Sequence, residues 1–139
     1  MEHKLRVHCL RNNLKRIREF VELVLKPHEM RLNPIVINQM IVAVDELCAN
    51  VIIHGNHCNP SEQIDITAFF KDDEFVFEVV DNGNAPYDIS QHQCPNIEEI
   101  VKNKQRGGMG VMLIRNIMDT VRIFQTENKN IYHISKRIA

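Results

Sequence analysis

Little in this sequence points toward a nucleic acid, a membrane or a disulfide framework. Its 17 Lys and Arg against 18 Asp and Glu leave a formal charge of −1 with His neutral, and the basic residues are scattered. That distribution excludes the electrostatic footprint of a DNA-binding protein. No uninterrupted apolar run approaches the roughly 20 residues that span a bilayer, and Met1-Glu2-His3-Lys4 leads into a short alternating segment, not a signal-peptide core. A cytosolic protein without membrane or direct nucleic-acid contacts is expected. The four cysteines, Cys9, Cys48, Cys58 and Cys94, form no Cys-x-x-Cys pair, as suits reduced structural thiols. Repeats, low-complexity tracts and an interdomain linker are also lacking. What is present is 44% hydrophobic content over 139 residues, enough for one domain with a real core, taken as residues 1–139.

Hydrophobic periodicity sets the order of elements. Leu5, Val7 and Cys9 alternate with polar neighbours, the period of a half-buried strand. A helix follows, capped by Asn12 or Asn13, with Leu14, Ile17, Val21 and Val24 on one face and Pro27 near its end. Asn33-Pro34 opens a second helix, and Ile37, Met40, Ile41, Val44, Leu47, Cys48, Val51 and Ile52 give it a broad apolar face up to Gly55. Ile64 to Ala68 and Phe75 to Val79 alternate around Lys71-Asp72-Asp73, which reads as a hairpin. The stretch from Asn82 to Arg106 is poor in apolar residues; connections of that length tend to be functional, and a lid at about 87–106 is expected. A third helix starts near Met109 with Val111, Ile114, Ile117 and Met118 inward, and strands around Val121 to Gln125 and Ile131 to Ile138 close the chain. The order predicts an α/β (α+β) sandwich, a mostly antiparallel mixed sheet with three helices on one face.

Three motifs carry chemistry. Glu46 and Asn50, four apart on the second helix, share a face, and His54 continues the line. An amide oxygen is a hard ligand that suits Mg²⁺ held mainly by phosphates, and a neighbouring carboxylate can accept a proton from an attacking hydroxyl. Alone, such an acid reads as the solvated flank of a helix. In Val79-Val80-Asp81-Asn82-Gly83 a strand runs into a carboxylate able to accept from an exocyclic amine such as that of adenine, beside a glycine that lets a flat base approach. Alone, Asp-Asn-Gly is turn chemistry. In Arg106-Gly107-Gly108-Met109-Gly110 glycines lead into a helix whose unpaired N–H groups favour phosphate, with Arg106 as a further contact. It is neither a P-loop nor a dinucleotide fingerprint.

Acid-x-x-x-Asn on a helix, Asp-x-Gly after a strand, a lid and Gly-x-Gly opening a helix, in this order, resemble the gyrase, chaperone, histidine-kinase and mismatch-repair ATPase superfamily. Within it the chain looks like the anti-sigma factor serine-protein kinases. The resemblance runs over nearly the whole chain, through Gly108-Met109-Gly110 to Ile114, Asn116, Met118 and Asp119. It implies a Bergerat-type ATP-binding fold, ATP and Mg²⁺ as cofactors, Glu46 as general base and Asn50 as the Mg²⁺ ligand. Asp81 would recognise the adenine amine, Gly83 would shape the base pocket, and Gly108 and Gly110 would cradle phosphates. The phosphate acceptor would be a serine of an anti-sigma factor antagonist, the protein regulated a sigma factor, and the assembly a homodimer. Arg18 matches a position that contacts the protein partner. Two stretches depart from the family pattern: Lys129-Asn130-Ile131 stands where relatives often have Gly-Thr, and the spacing around Ala85 before Pro86 is wider.

Three other readings compete. The chain could bind nucleotide and switch partners without transferring phosphate. It could be a histidine-kinase catalytic fragment whose acceptor histidine is separate. Finally, His54, His57 and Cys58, with His92 and Cys94, hold enough nitrogen and sulfur for zinc, although no pair has a zinc-ribbon spacing.

Overall fold

A computed structural model describes residues 2–55, 59–82, 106–126 and 129–138, and only the backbone at 54–55 and 106–111. Five strands form one sheet: β1 (His3–His8), β2 (Gln63–Lys71), β3 (Glu74–Asp81), β4 (Thr120–Thr126) and β5 (Lys129–Arg137), in the order β1-β2-β3-β5-β4. Helices α1 (Asn13–Leu25), α2 (Pro34–Ala49) and α3 (Arg106–Ile117) contribute to a core shared with one face of the sheet. Every neighbouring pair of these strands is antiparallel, so the sheet is not mixed as expected. Each neighbouring pair consists of either a hairpin or a return across a helical connection, and neither demands a parallel neighbour.

Alternation decides which face is buried. Val7, Ile64, Ile66, Ala68, Phe75, Phe77, Val79, Tyr132 and Ile134 meet the helices, while Glu78 and His133 pair on the opposite face, Nδ1 to Oε1 at 3.1 Å. The β2–β3 turn lies where Lys71-Asp72-Asp73 predicts it, with Asp72 at φ 51° and Asp73 at φ 63°. Two successive left-handed residues give the primed turn whose twist suits a tight hairpin, and aspartate tolerates that conformation better than most residues.

The α2 helix is the central one. Asn33, extended at φ −77° and ψ 158°, accepts the Val36 N–H on its Oδ1 at 2.8 Å, and Pro34 occupies the first turn. Met40, Ala43, Val44, Leu47 and Cys48 are buried, and Val51 and Ile52 extend the same face. At Asn50 the backbone passes into a wider π-type turn that ends at Gly55. Over Pro34–Ile53 the helical run reaches 20 residues at mean hydropathy 1.6, long and apolar enough by composition to cross a membrane, although Asn38, Gln39, Asp45, Glu46 and Asn50 interrupt its apolar residues. Its buried face packs in the core shared with the sheet, and Asp45 and Glu46 lie on its half-buried flank, which accounts for the hydropathy without a bilayer.

Two helix starts differ from expectation. Asn12 precedes α1 but its side chain makes no capping bond; Asn13 instead donates from Nδ2 to the His8 carbonyl at 2.9 Å, closing the corner after β1. The third helix begins at Arg106, three residues before the expected Met109. Glycine disfavours helix by only about 1 kcal/mol per residue, which tertiary context overrides, so Gly107-Gly108 belongs to the first turn and does not break it. The expected lid, apart from Arg106, lies outside the described residues, as do Gly83, Ala85 and the cysteines and histidines at 57, 58, 92 and 94.

Candidate functional site

The end of α2, the end of β3 and the start of α3 supply the three motifs. Glu46 is half-buried, and burial, reinforced by the charge of Asp45, pushes its carboxyl above the usual glutamate range. A carboxylate that holds its proton more readily is a better base when it is ionised. One turn on, Asn50 is 3% exposed, and its backbone N–H reaches the carbonyls of both Glu46 and Leu47 as the helix widens. Among the described residues its side-chain Nδ2 has no hydrogen-bond partner. A buried unpaired amide costs about 1–3 kcal/mol. Turned either way it presents an N–H to a phosphate oxygen or its oxygen to a cation, so the residue fits a metal-bound phosphate group.

The wider turn also changes the geometry beyond Asn50. A regular helix would place His54 in line with Glu46 and Asn50, but the π-type turn carries more residues per turn and takes His54 off that line. The side chain of His54 lies outside the described residues, and no cluster of three metal-ligating residues occurs among those described.

Asp81, 2% exposed at the end of β3, stands directly opposite Asn130 of β5. Nδ2 of Asn130 donates to Oδ1 of Asp81 at 2.8 Å. Asn130 is fully buried, and it lies in the ladder because β5 starts at Lys129, two residues earlier than expected. In the sequence Lys129-Asn130-Ile131 registers only as a departure from Gly-Thr, and the contact of Asn130 with Asp81 is not anticipated, although a signal was there. Asn130, Tyr132 and Ile134 alternate, which puts a polar side chain on the core face of a strand.

The remaining motif is the first turn of α3, where Arg106, Gly108 and Gly110 fall. What holds that helix is visible at its other end. Lys136 of β5 donates from Nζ to the Ile117 carbonyl at 2.8 Å, and Asp119 accepts the Arg137 N–H on Oδ2 at 2.6 Å. A cation on the last carbonyls complements the helix dipole. Thus β5 meets Asp81 directly through Asn130, and through Lys136 it holds the far end of the helix whose N-terminus carries the glycines. Arg18, assigned to a partner, lies on α1 and donates from Nη1 to Oδ1 of Asp45 at 2.8 Å, next to Glu46 in sequence.

A family profile described as histidine kinase-like ATPase domain matches residues 9–136. Among curated proteins, the anti-sigma F factor of Clostridium perfringens strain SM101 is 30% identical over 95 residues, 68% of this chain and 67% of its own length. That of Heyndrickxia coagulans is 34% identical over 104 residues, 73% and 69% respectively, and that of Oceanobacillus iheyensis 33% identical over 86 residues, 62% and 58%. The crystal structure of the RsbU and RsbW domains of a Mycobacterium tuberculosis protein superposes with a TM-score of 0.64 at 14% identity, covering 99% of this chain. The chain spans 32% of that larger protein, and the likeness establishes the fold. The α+β sheet-and-helix architecture, the profile and the relatives agree: this chain belongs to the histidine kinase-like ATPase family, in the branch that contains the anti-sigma F factors.

Proposed function

We propose that the protein is an ATP-dependent anti-sigma factor of the serine-kinase type: it binds a sigma factor and phosphorylates a serine of an anti-sigma factor antagonist in the cytoplasm, as a homodimer. The observation that carries this reading is the pairing of Glu46, a half-buried carboxyl held above its ordinary range, with Asn50, a buried amide one turn away whose nitrogen finds no partner among the described residues. A purely structural helix gains nothing from that arrangement.

In this reading Asn50 holds Mg²⁺ against the phosphates, and Arg106 with the Gly108 and Gly110 backbone binds the phosphates at the start of α3. Asp81 accepts the exocyclic amine of adenine, and Gly83 shapes the base pocket. When bound, Mg²⁺ supplies charge neutralisation on the phosphate oxygens. Glu46 orients the acceptor serine and takes its proton as Oγ attacks the γ-phosphorus of ATP, the bond to the bridging oxygen breaks and ADP leaves. Little else is required, since phosphoryl transfer rests mainly on positioning and charge. Arg18 lies within reach of a partner seated on α1, being 44% exposed while paired with Asp45.

The test combines purified protein, Mg²⁺-ATP and candidate antagonist domains from the same genome, followed by detection of phosphoserine. Phosphoserine on one antagonist supports the reading. ATP binding without phosphorylation of any cognate antagonist replaces it with a nucleotide-dependent partner-switching module that has no kinase activity.

A further inference from the structure

Lys136 stands where β5 would be expected to carry an apolar side chain. It continues the core-facing series of Tyr132 and Ile134, lies opposite the buried Phe75 in the ladder, and is half-buried. A lysine suits such a place when its ammonium reaches an acceptor beyond the apolar surface. Here Nζ donates to the Ile117 carbonyl at 2.8 Å, one of the final carbonyls of α3, which have no acceptor role inside the helix. Two further bonds tie the same end to β5: the Asp119 N–H donates to the Ser135 carbonyl at 2.8 Å, and the Arg137 N–H to Oδ2 of Asp119 at 2.6 Å. The opposite end of α3 has less to hold it. Gly107, Gly108 and Gly110 bring no side chain, and the described side chains of α3 that join the core, Ile114 and Ile117, lie in its second half, with Met118 just beyond.

We propose that Lys136 is a positioning residue for phosphate binding: by holding the Ile117 carbonyl it sets where α3 lies along its axis, and so where the Gly108 and Gly110 N–H groups stand. This inference deepens the ATP-site reading and rests on it. An α-helix is stiff along its length, so a shift at Ile117 is carried to the first turn, about 16 Å away at 1.5 Å per residue. Hydrogen bonds to phosphate oxygens tolerate only a few tenths of an ångström before they weaken. The ammonium cannot act on the phosphates by its own charge over that distance, because salt screens exposed charges within about 8 Å at physiological ionic strength. Its effect therefore passes through the helix.

The test compares Lys136→Met, which keeps an unbranched stem but no donor, with Lys136→Arg, which restores donor and charge. Asn33→Ala is the matched control, since it also deletes a bond at a helix end, the start of α2 remote from the site. Mg²⁺-ATP is titrated calorimetrically into wild type and the three variants at low and high salt, with thermal melts to verify folding. Folded Lys136→Met is expected to bind ATP about tenfold more weakly than wild type, less than the roughly 10²-fold that a 1 Å misplacement costs a reacting centre. The ratio to wild type is expected to persist at high salt, Lys136→Arg to recover most of the affinity, and Asn33→Ala to keep it in full despite a lower melt. Wild-type affinity in folded Lys136→Met assigns the bond to stability alone and overturns the proposal. A loss that disappears at high salt, or that Lys136→Arg does not recover, overturns it too. If Lys136→Met does not fold, Lys136→Gln is read against Lys136→Arg under the same criteria. Wild type that binds no ATP overturns the ATP reading itself, and that outcome is distinct from binding that is indifferent to Lys136.

Discussion

Arg18 on α1 holds Asp45 on α2 at 2.8 Å, and the carboxylate so held is the immediate sequence neighbour of Glu46. With side chains 44% and 26% exposed, such a pair contributes only about 0–1 kcal/mol to stability. Its consequence is electrostatic: it sets a cation beside the negative charge that helps raise the Glu46 carboxyl.

Removal of that cation exposes Glu46 to the full charge of Asp45. In Arg18→Ala, the midpoint of the alkaline-going rise in phosphoryl transfer shifts to higher pH, because like charge disfavours the ionised base. A pH–rate profile checks this independently of any loss in partner affinity. An unmoved midpoint would remove Arg18 from the electrostatics of Glu46.

Glu46→Gln separates the cost of the base from its use. The folded chain holds the Glu46 proton above the ordinary value of 4.5, so its favourable contribution is complete below that pH and is lost as pH rises through the raised value. At pH 7 the ionised carboxylate therefore costs stability. Apo Glu46→Gln should melt above wild type at pH 7 and converge with it in acid, while phosphoryl transfer falls by roughly 10²–10⁴-fold and ATP affinity changes little. Melts across pH and transfer assays at saturating ATP measure both.

Asn50 predicts a similar opposition between stability and function. Asn50→Ala deletes a buried amide whose nitrogen has no partner among the described residues, so the apo protein should lose little stability by denaturant unfolding. Mg²⁺-dependent ATP binding should fall together with transfer, since the cation acts on phosphate charge in both ground and transition states. ATP affinity equal to wild type in the presence of Mg²⁺ would contradict the ligand assignment.

Asn33→Ala serves as the contrast. It removes the cap at the opposite end of α2 from the site, where Oδ1 accepts the Val36 N–H, and should cost about 1 kcal/mol. ATP affinity should stay at the wild-type value, checked by a denaturation midpoint and a nucleotide titration side by side.

Much of this architecture was legible because local signals agreed with the tertiary fold. The Asn33-Pro34 cap, the Asp72-Asp73 turn and the alternation in β2 and β3 each specify their element with few alternatives. Glu46, Asn50 and Asp81 could be picked out because polar residues interrupt otherwise apolar faces. What could not be read was set by partners distant in sequence. Asn130 gains meaning from Asp81, 49 positions earlier, and Lys136 from the end of α3. The π-type turn at Asn50 leaves no simple periodicity, and glycines at 107 and 108 signalled a break where the backbone is already helical.

The claim on which the account depends is that these elements bind Mg²⁺-ATP. Calorimetric titration of Mg²⁺-ATP into the wild-type protein, backed by a thermal melt, tests it most directly. The account predicts saturable binding at one site per chain, with stabilisation of about 2.7 kcal/mol at a hundredfold excess over the dissociation constant. It also predicts weakened binding in Asp81→Asn, whose amide no longer offers a charged acceptor to the base. No heat and no upward melt shift at millimolar Mg²⁺-ATP would contradict it.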